Sequence, residues 1–287
     1  MADISASLVK KLREKTGIGM MDCKKALIDA NGDIALAIEE LRKSSGIKAI
    51  KKAERSTTDG VIAAFSDRSK ACMVEINCET DFVIRNESFI NFTKEVVTKL
   101  SSKENLNLKD LLEGDLEKKR KKLVQRTGEN IVVRRIAKSN KDSDSVGLYV
   151  HSNKKVACIT SLQGGNQNLA KDIAMQVVAS DPIAVSPEDI SKETLDKERE
   201  IYEAQSSKRG KSTEIVQKII ESKIKKFLSE VILTEQDFVK EPGRKISDLL
   251  NKNKAKIIGF KRFEVGEGIE KEDKNFANEV MLQIKKT

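Results

Sequence analysis

The 287-residue chain is 38% hydrophobic but only 4% aromatic, with no Trp and nine Phe, enough for one large core or two to three small ones built mainly from aliphatic side chains. Its formal charge of +9 comes from 54 basic and 45 acidic residues interleaved along the chain; an anionic partner is open, but a solvated charged surface is the simpler account and bears on solubility and association rate. Four scattered cysteines without a C-x-x-C pair, a Met-Ala-Asp start with no basic-then-apolar leader, and no apolar run near the ~20 residues that cross a bilayer argue against a disulfide scaffold, an exported protein or a membrane span, and point to a cytoplasmic chain with reduced thiols.

Residues 1–46 read as three short helices. Ile4, Leu8 and Leu12, joined by Val9, share one helical face, and Thr16-Gly17-Ile18-Gly19 breaks it. Asp22 is expected to cap a second helix with Cys23, Ala26, Leu27 and Ala30 inward, ended by Asn31-Gly32. Asp33 caps a third, with Ile34, Ala37, Ile38 and Leu41 inward, and Ser44-Ser45-Gly46 closes the unit. So small a unit buries little surface and can keep an apolar patch for a partner. The flexible Met20 and Met21 are candidates for that patch, with simple packing at a helix start as the alternative. The basic stretch from Lys48 to Arg55 reads as a helical linker.

From Asp59 the pattern turns to strands. Gly60–Phe65 and Ala71–Asn77 flank a polar loop and read as a β-hairpin. A helix from about Asn86 to Leu100, a charged helix to about Arg126 and a strand at Asn130–Ile136 follow. The second half repeats the order: a hairpin of Gly147–His151 with Lys155–Ser161, a helix from Leu169 to Ala179, and a strand at Lys256–Phe260. Val231–Val239, ending in Asp-Phe-Val, echoes Glu75–Val83, which ends the same way, so two related α+β subdomains are expected. Between them, residues 188–229 are charge-rich with a sparse apolar stripe (Ile190, Leu195 and Tyr202; Ile220, Ile224 and Phe227) and predict a protruding antiparallel two-helix coiled coil, with its turn at Lys208–Ser212.

Nucleotide and metal motifs fail. Gly210-Lys211-Ser212 resembles the end of a phosphate loop, but the leading glycine position holds Gln205; Gly266-Glu267-Gly268 lacks a third glycine, since position 271 is Lys. With His151 the single histidine and the thiols scattered, no metal site and no cofactor of the chain's own are expected. No G-x-S-x-G surrounds any serine, and His151 suits a solvent-facing or interface role. For Thr80-Asp81-Phe82-Val83, residue chemistry leaves two accounts even: Phe82 in a core with Asp81 as a helix cap, or both presented to a partner.

Two segments are more specific. Leu12-Arg13 followed by Thr16-Gly17-Ile18-Gly19-Met20-Met21-Asp22-Cys23-Lys24-Lys25-Ala26-Leu27, and Glu75-Ile76-Asn77-Cys78-Glu79-Thr80-Asp81-Phe82-Val83, resemble the two signatures of the elongation factor Ts family, and the likeness continues through Ala30-Asn31-Gly32-Asp33 to Arg262–Glu270. The resemblance implies an α+β fold: a three-helix ubiquitin-associated-like domain with its linker (1–55), a core in two subdomains (56–140, then 141–185 with 230–263), an inserted coiled-coil or dimerisation hairpin (186–229), and a C-terminal helical module (264–287). It implies a partner, the GTPase elongation factor Tu, whose magnesium and nucleotide site is approached by Thr80, Asp81, Phe82 and Val83, with Arg13, Met20, Met21, His151, Phe276 and Val280 as further contacts. Self-association through the hairpin is open, and neither an enzymatic role, a membrane nor a specific nucleic acid is implied. Ile84 departs from the small residue usual in the family at that place, which bears on the start of the following helix. The competing class is a basic RNA-binding protein, motivated by the net charge and by Lys118-Lys119-Arg120-Lys121-Lys122, although no aromatic stacking platform accompanies that run.

Overall fold

Helix α1 (Ala6–Thr16) begins where the Ser5 hydroxyl accepts from the Leu8 amide and ends where Gly17, at φ 69°, turns left-handed and donates to the Arg13 carbonyl. A side chain at position 17 would collide with the Arg126 guanidinium, which lies against it. Helix α2 (Met20–Asp29) starts after Gly19 instead of at Asp22. Asp22 sits in its first turn and pairs with Lys48 at 2.7 Å. Asp33 caps α3 (Ile34–Lys52), accepting from the Ala35 and Leu36 amides. Val9, Leu12, Ile18, Cys23, Ala26, Leu27, Ala37 and Leu41 form the shared core of the three helices, as their periodicity predicts. The computed structural model describes residues 4–206 and 213–270.

The chain continues through β1 (Asp59–Ser66), β2 (Ala71–Cys78), α4 (Glu87–Ser102), α5 (Leu108–Leu112), α6 (Asp115–Thr127) and β3 (Ile131–Lys138), and the three strands make a sheet in the order β1-β2-β3. The central β2 is buried at every position, including Glu75 and Asn77. Helix α6 explains why α3 does not stop at Ser44-Ser45-Gly46. The Ser44 and Ser45 hydroxyls bond back to the Leu41 and Arg42 carbonyls, and Ser45 and Ala49 are buried. Gln125 of α6 reaches across to donate to the Leu41 carbonyl at 2.8 Å. Packing against a neighbour outweighs the weak helix propensity of two serines and a glycine.

The second repeat runs β4 (Ser145–Val150), β5 (Val156–Gln163), α7 (Gln167–Ser180), then α8 (Lys192–Ser206), α9 (Thr213–Val231), β6 (Asp237–Phe238), β7 (Glu241–Lys245), α10 (Ile246–Lys252) and β8 (Lys256–Glu264). Strands β4 and β5 pair antiparallel, Ser145 opposite Leu162 and Val150 opposite Ala157, and β8 joins the far side of β5. Each repeat thus lays down a hairpin and, after helices, adds a third strand beside the hairpin's second. Helix α7 lies so close that a Cβ at Gly147 would stand 2.1 Å from the Ala170 carbonyl carbon, and the Thr160 hydroxyl donates to the Ala170 oxygen at 2.6 Å. Cys158, Leu162, Leu169, Ile173, Val177, Leu233, Phe238, Ile246, Leu249, Leu250 and Ile257 fill the core.

Helices α8 and α9 pack along each other as the apolar stripe predicts, with Ile220 buried and the Lys223 ammonium 5.1 Å from the centre of the Tyr202 ring. The turn expected at Lys208–Ser212 lies outside the described residues. The echo at Val231–Val239 is not a strand end. Val231 closes α9, Leu233–Glu235 is a 3-10 turn, and Asp237-Phe238 opens the short β6–β7 hairpin.

By chain contacts the described residues divide into two units, one comprising residues up to Ala63 with Val74–Ile136 and the chain from Glu264, the other Ala64–Met73 with Ala137–Phe263. All four cysteines are reduced and buried. No helix among the described residues is long and apolar enough to cross a membrane.

Candidate functional site

Apart from the α8–α9 insertion, the two repeats also differ where the hairpin hands over to the helix. Between β5 and α7 the chain needs only residues 164–166, whereas between β2 and α4 it takes residues 79–86. That longer connection is fixed at both ends. Thr80 donates its amide to Glu129 Oε2 at 2.9 Å and its hydroxyl to Glu129 Oε1 at 2.5 Å, and its carbonyl accepts from the Cys78 thiol at 3.1 Å. Glu79 reciprocates by accepting the Asn130 amide at 2.6 Å, with Arg55 beside it at 3.4 Å. At the other end Val83 is buried and starts a 3-10 turn to Arg85, and the Asn86 side chain caps α4 through the Ser88 amide at 2.9 Å.

Between those anchors Asp81 and Phe82 face outward. Phe82 is 77% exposed although its backbone is in the helical region at φ −65°, ψ −38°. The Asp81 carboxylate lies 3.7 Å from the Arg85 guanidinium, one turn on, and both are open to water. Asn86, not Asp81, caps the helix, and Val83, not Phe82, enters the core. An isolated exposed apolar residue is ordinary. An aromatic held outward by a loop pinned on either side is less so, because aromatic side chains carry large contact area with few rotatable bonds.

The other Asp-Phe-Val has the reverse sidedness. Phe238 is 3% exposed in the core of its repeat, while Val239 is turned out and donates its amide to Gln176 at 2.9 Å. The segment that does correspond in the topology is Gly164-Gly165-Asn166, which carries no aromatic.

Arg13 is exposed on α1, and Met20 and Met21 are exposed at the start of α2, Met21 the more so. These belong to the same unit as Thr80–Val83. His151 belongs to the other, exposed in the β4–β5 turn, where its amide donates to Val156 and its carbonyl accepts from Lys154. Phe276 and Val280 lie outside the described residues. No cluster of three or more His, Cys, Asp or Glu arranged to hold a metal occurs among the described residues.

Two glutamates of this unit have roles that the sequence did not disclose. One is Glu129. The other is Glu75, a lone carboxylate in an apolar strand, the kind of signal that announces a buried partner. It accepts from Arg134 at 3.1 Å, from Arg135, from Asn77 at 3.0 Å and from the Gly266 amide at 2.9 Å. Burial pushes its carboxyl up, but the Gly266 amide, Arg135 and Asn77 outweigh that and hold it below the ordinary carboxylate range. Arg135 also grips the Glu264 carbonyl and the Glu267 carboxylate, both at 2.9 Å, so the turn at 264–267 is fastened to β2 and β3.

The sequence model of the Elongation factor TS family matches residues 79–267, from the start of the braced loop to the fastened turn. Elongation factor Ts of Hahella chejuensis is 53% identical over 99% of this chain and all of its own length. Those of Marinobacter nauticus and Teredinibacter turnerae are 51% and 47% identical, each over 98% of this chain and 97% of theirs. An α+β chain of two repeats with such relatives is a translation elongation factor, a protein of protein biosynthesis. It belongs to the elongation factor Ts family.

Proposed function

We propose that this chain is the guanine-nucleotide exchange factor for elongation factor Tu, acting in the cytoplasm: it binds the GDP-bound GTPase, disturbs the Mg²⁺ and nucleotide site with residues 80–83, and lets GDP leave so that GTP can bind. The observation that carries this reading is Phe82, exposed beside Asp81 on a loop pinned at Thr80 and Val83. A magnesium ion in a GTPase bridges phosphate oxygens and is held by few protein ligands, so shifting the segments around it weakens the nucleotide steeply. Phe82 is the wedge in this scheme. Asp81 supplies a carboxylate that competes for donors and charge near the ion.

Exchange then follows from linkage. The factor binds the nucleotide-free GTPase more tightly than the loaded one, and nucleotide weakens the factor by the same ratio. No bond is made or broken by this chain, and no cofactor of its own enters the scheme. Arg13, Met20, Met21 and His151 serve as secondary contacts, and the α8–α9 hairpin as a surface for self-association or a further partner contact. In this scheme the chain is organised as a three-helix domain with its linker (1–55), two core subdomains (56–140, then 141–185 with 230–263), the hairpin (186–229) and a C-terminal module (264–287). The basic run at 118–122 gives little support to RNA binding, because Lys119 is paired with Glu95 and Asp115, and Arg120 and Lys121 with Glu117.

The test is stimulated release of a fluorescent GDP from elongation factor Tu in a stopped-flow instrument. Asp81→Ala with Phe82→Ala should leave the circular dichroism of the factor unchanged and slow release by tenfold or more, on the order of 1.4 kcal/mol per tenfold. Wild-type release by that double variant would remove the assignment.

A further inference from the structure

We infer that Glu129 is a positioning residue for exchange, setting the direction of Phe82 by holding Thr80 through both of its donors. The inference rests on the reading of residues 80–83 as the exchange loop.

Glu129 lies outside that loop and outside the sequence motif that contains it. Its two carboxylate oxygens take the amide and the hydroxyl of one residue, at 2.9 and 2.5 Å. A two-pronged contact to a carboxylate fixes orientation as well as distance. The neighbouring pair runs the other way, Glu79 taking the Asn130 amide at 2.6 Å, so residues 79–80 and 129–130 are cross-tied. Asn130 is itself held, its buried side-chain amide donating to the Arg55 carbonyl at 3.0 Å. The chain around Glu129 is in turn set by α6, which ends in a left-handed turn at Gly128.

Only Asp81 and Phe82 lie between the tie at Thr80 and the buried Val83. With both neighbours fixed, little backbone freedom remains to them. Loss of the tie at Thr80 frees the entry to this pair while Val83 and the Asn86 cap still hold the exit. The predicted result is a folded protein that still docks but drives its wedge in the wrong direction. A misplacement of about 1 Å of a group that must meet a defined site costs up to ~10²-fold in rate.

The experiment measures the maximal rate of stimulated GDP release, its half-saturating factor concentration and the melting transition for a set of variants of the full chain. Glu129→Ala should lower the maximal rate about tenfold, within that limit, with the half-saturating concentration little changed. Thr80→Val, which removes only the hydroxyl, should lower it less. Glu129→Gln should restore near-wild-type exchange, since its amide oxygen still accepts the Thr80 amide and its NH₂ donates to the hydroxyl. Combined with Asp81→Ala and Phe82→Ala, Glu129→Ala should add no further slowing, because it acts only through that pair.

A wild-type maximal rate for Glu129→Ala overturns the proposal, as does equal slowing by Glu129→Ala with and without the Asp81 and Phe82 side chains. If Glu129→Ala does not fold, a wild-type maximal rate for Thr80→Val overturns it instead. A wild-type rate for Phe82→Ala removes the reading on which the role rests, and the role with it.

Discussion

The chain carries its own control experiment in the two Asp-Phe-Val segments. Phe82→Ala removes a ring that is 77% exposed, so little buried area is lost and the stability change should stay within about 0.5 kcal/mol. Phe238→Ala removes a ring that is 3% exposed and packed in a core with Leu169, Ile173, Leu233, Ile246 and Leu249. Helix α7 and strands β5 and β8 contribute to that core and hinder its collapse into the vacated space, so about 3–5 kcal/mol should be lost. In melting terms that is a fall of roughly 10 °C. A chain of two units need not unfold in one step, so hydrogen exchange of α7 and β5 amides is the measurement to make beside the melting curve. Stimulated GDP release at a temperature where both variants are folded should show the opposite order, slow for Phe82→Ala and unaffected for Phe238→Ala. Equal stability losses in the two variants, or slowed release by a fully folded Phe238→Ala, would refute the argument from sidedness.

Glu75→Gln should cost about 3 kcal/mol, the low end for breaking a buried ion pair, because Arg134 and Arg135 are partly exposed and can take water. Its effect is also pH-dependent: the folded-state pKa lies below the unfolded value, so the carboxylate's contribution is present above about pH 4.5 and lost as pH falls through the folded pKa. Acid titration of stability should therefore be flatter in Glu75→Gln than in wild type, and identical acid limbs would contradict the account. Gly147→Ala places a methyl group into the Ala170 backbone and should destabilise the second repeat by at least about 2 kcal/mol in chemical denaturation; a neutral substitution would mean that α7 is free to move off the sheet. Replacing residues 192–229 by a short flexible linker should change core stability by about 1 kcal/mol or less, since closing a loop costs little, while self-association or partner contacts are lost; a large drop in melting temperature would show the hairpin to be part of the core.

The helices of residues 4–52 were legible because 3.6-residue periodicity and Asp33 are local signals, but the length of α3 was not, because its continuation depends on Gln125 and α6. Both hairpins were legible in their strand patterns, but the edge on which each third strand joins was not, because no local pattern encodes that pairing. The match between Val231–Val239 and Glu75–Val83 misled, since a short shared string has no topology in it, and β5 rather than α9 occupies the place of β2. Which Phe faces water could not be read from two identical tripeptides; it is decided by what surrounds them. Glu129 was beyond reach for a similar reason, as its partner lies 49 residues away and nothing in either local pattern points to the other.

The placement of the four thiols has a practical consequence. Cys23 and Cys78 donate to the Ile18 and Thr80 carbonyls, and burial pushes the Cys72 and Cys158 thiols up. A thiol must be both reachable and ionised to react, so the native chain should be almost inert to alkylating reagents. Any labelling that does occur times a local opening, and the sulfurs report from α2, from both ends of β2 and from β5. Mass spectrometry of the unmodified protein can therefore clock four regions separately, and the Cys78 clock, directly beneath Thr80, should slow when the GTPase is bound.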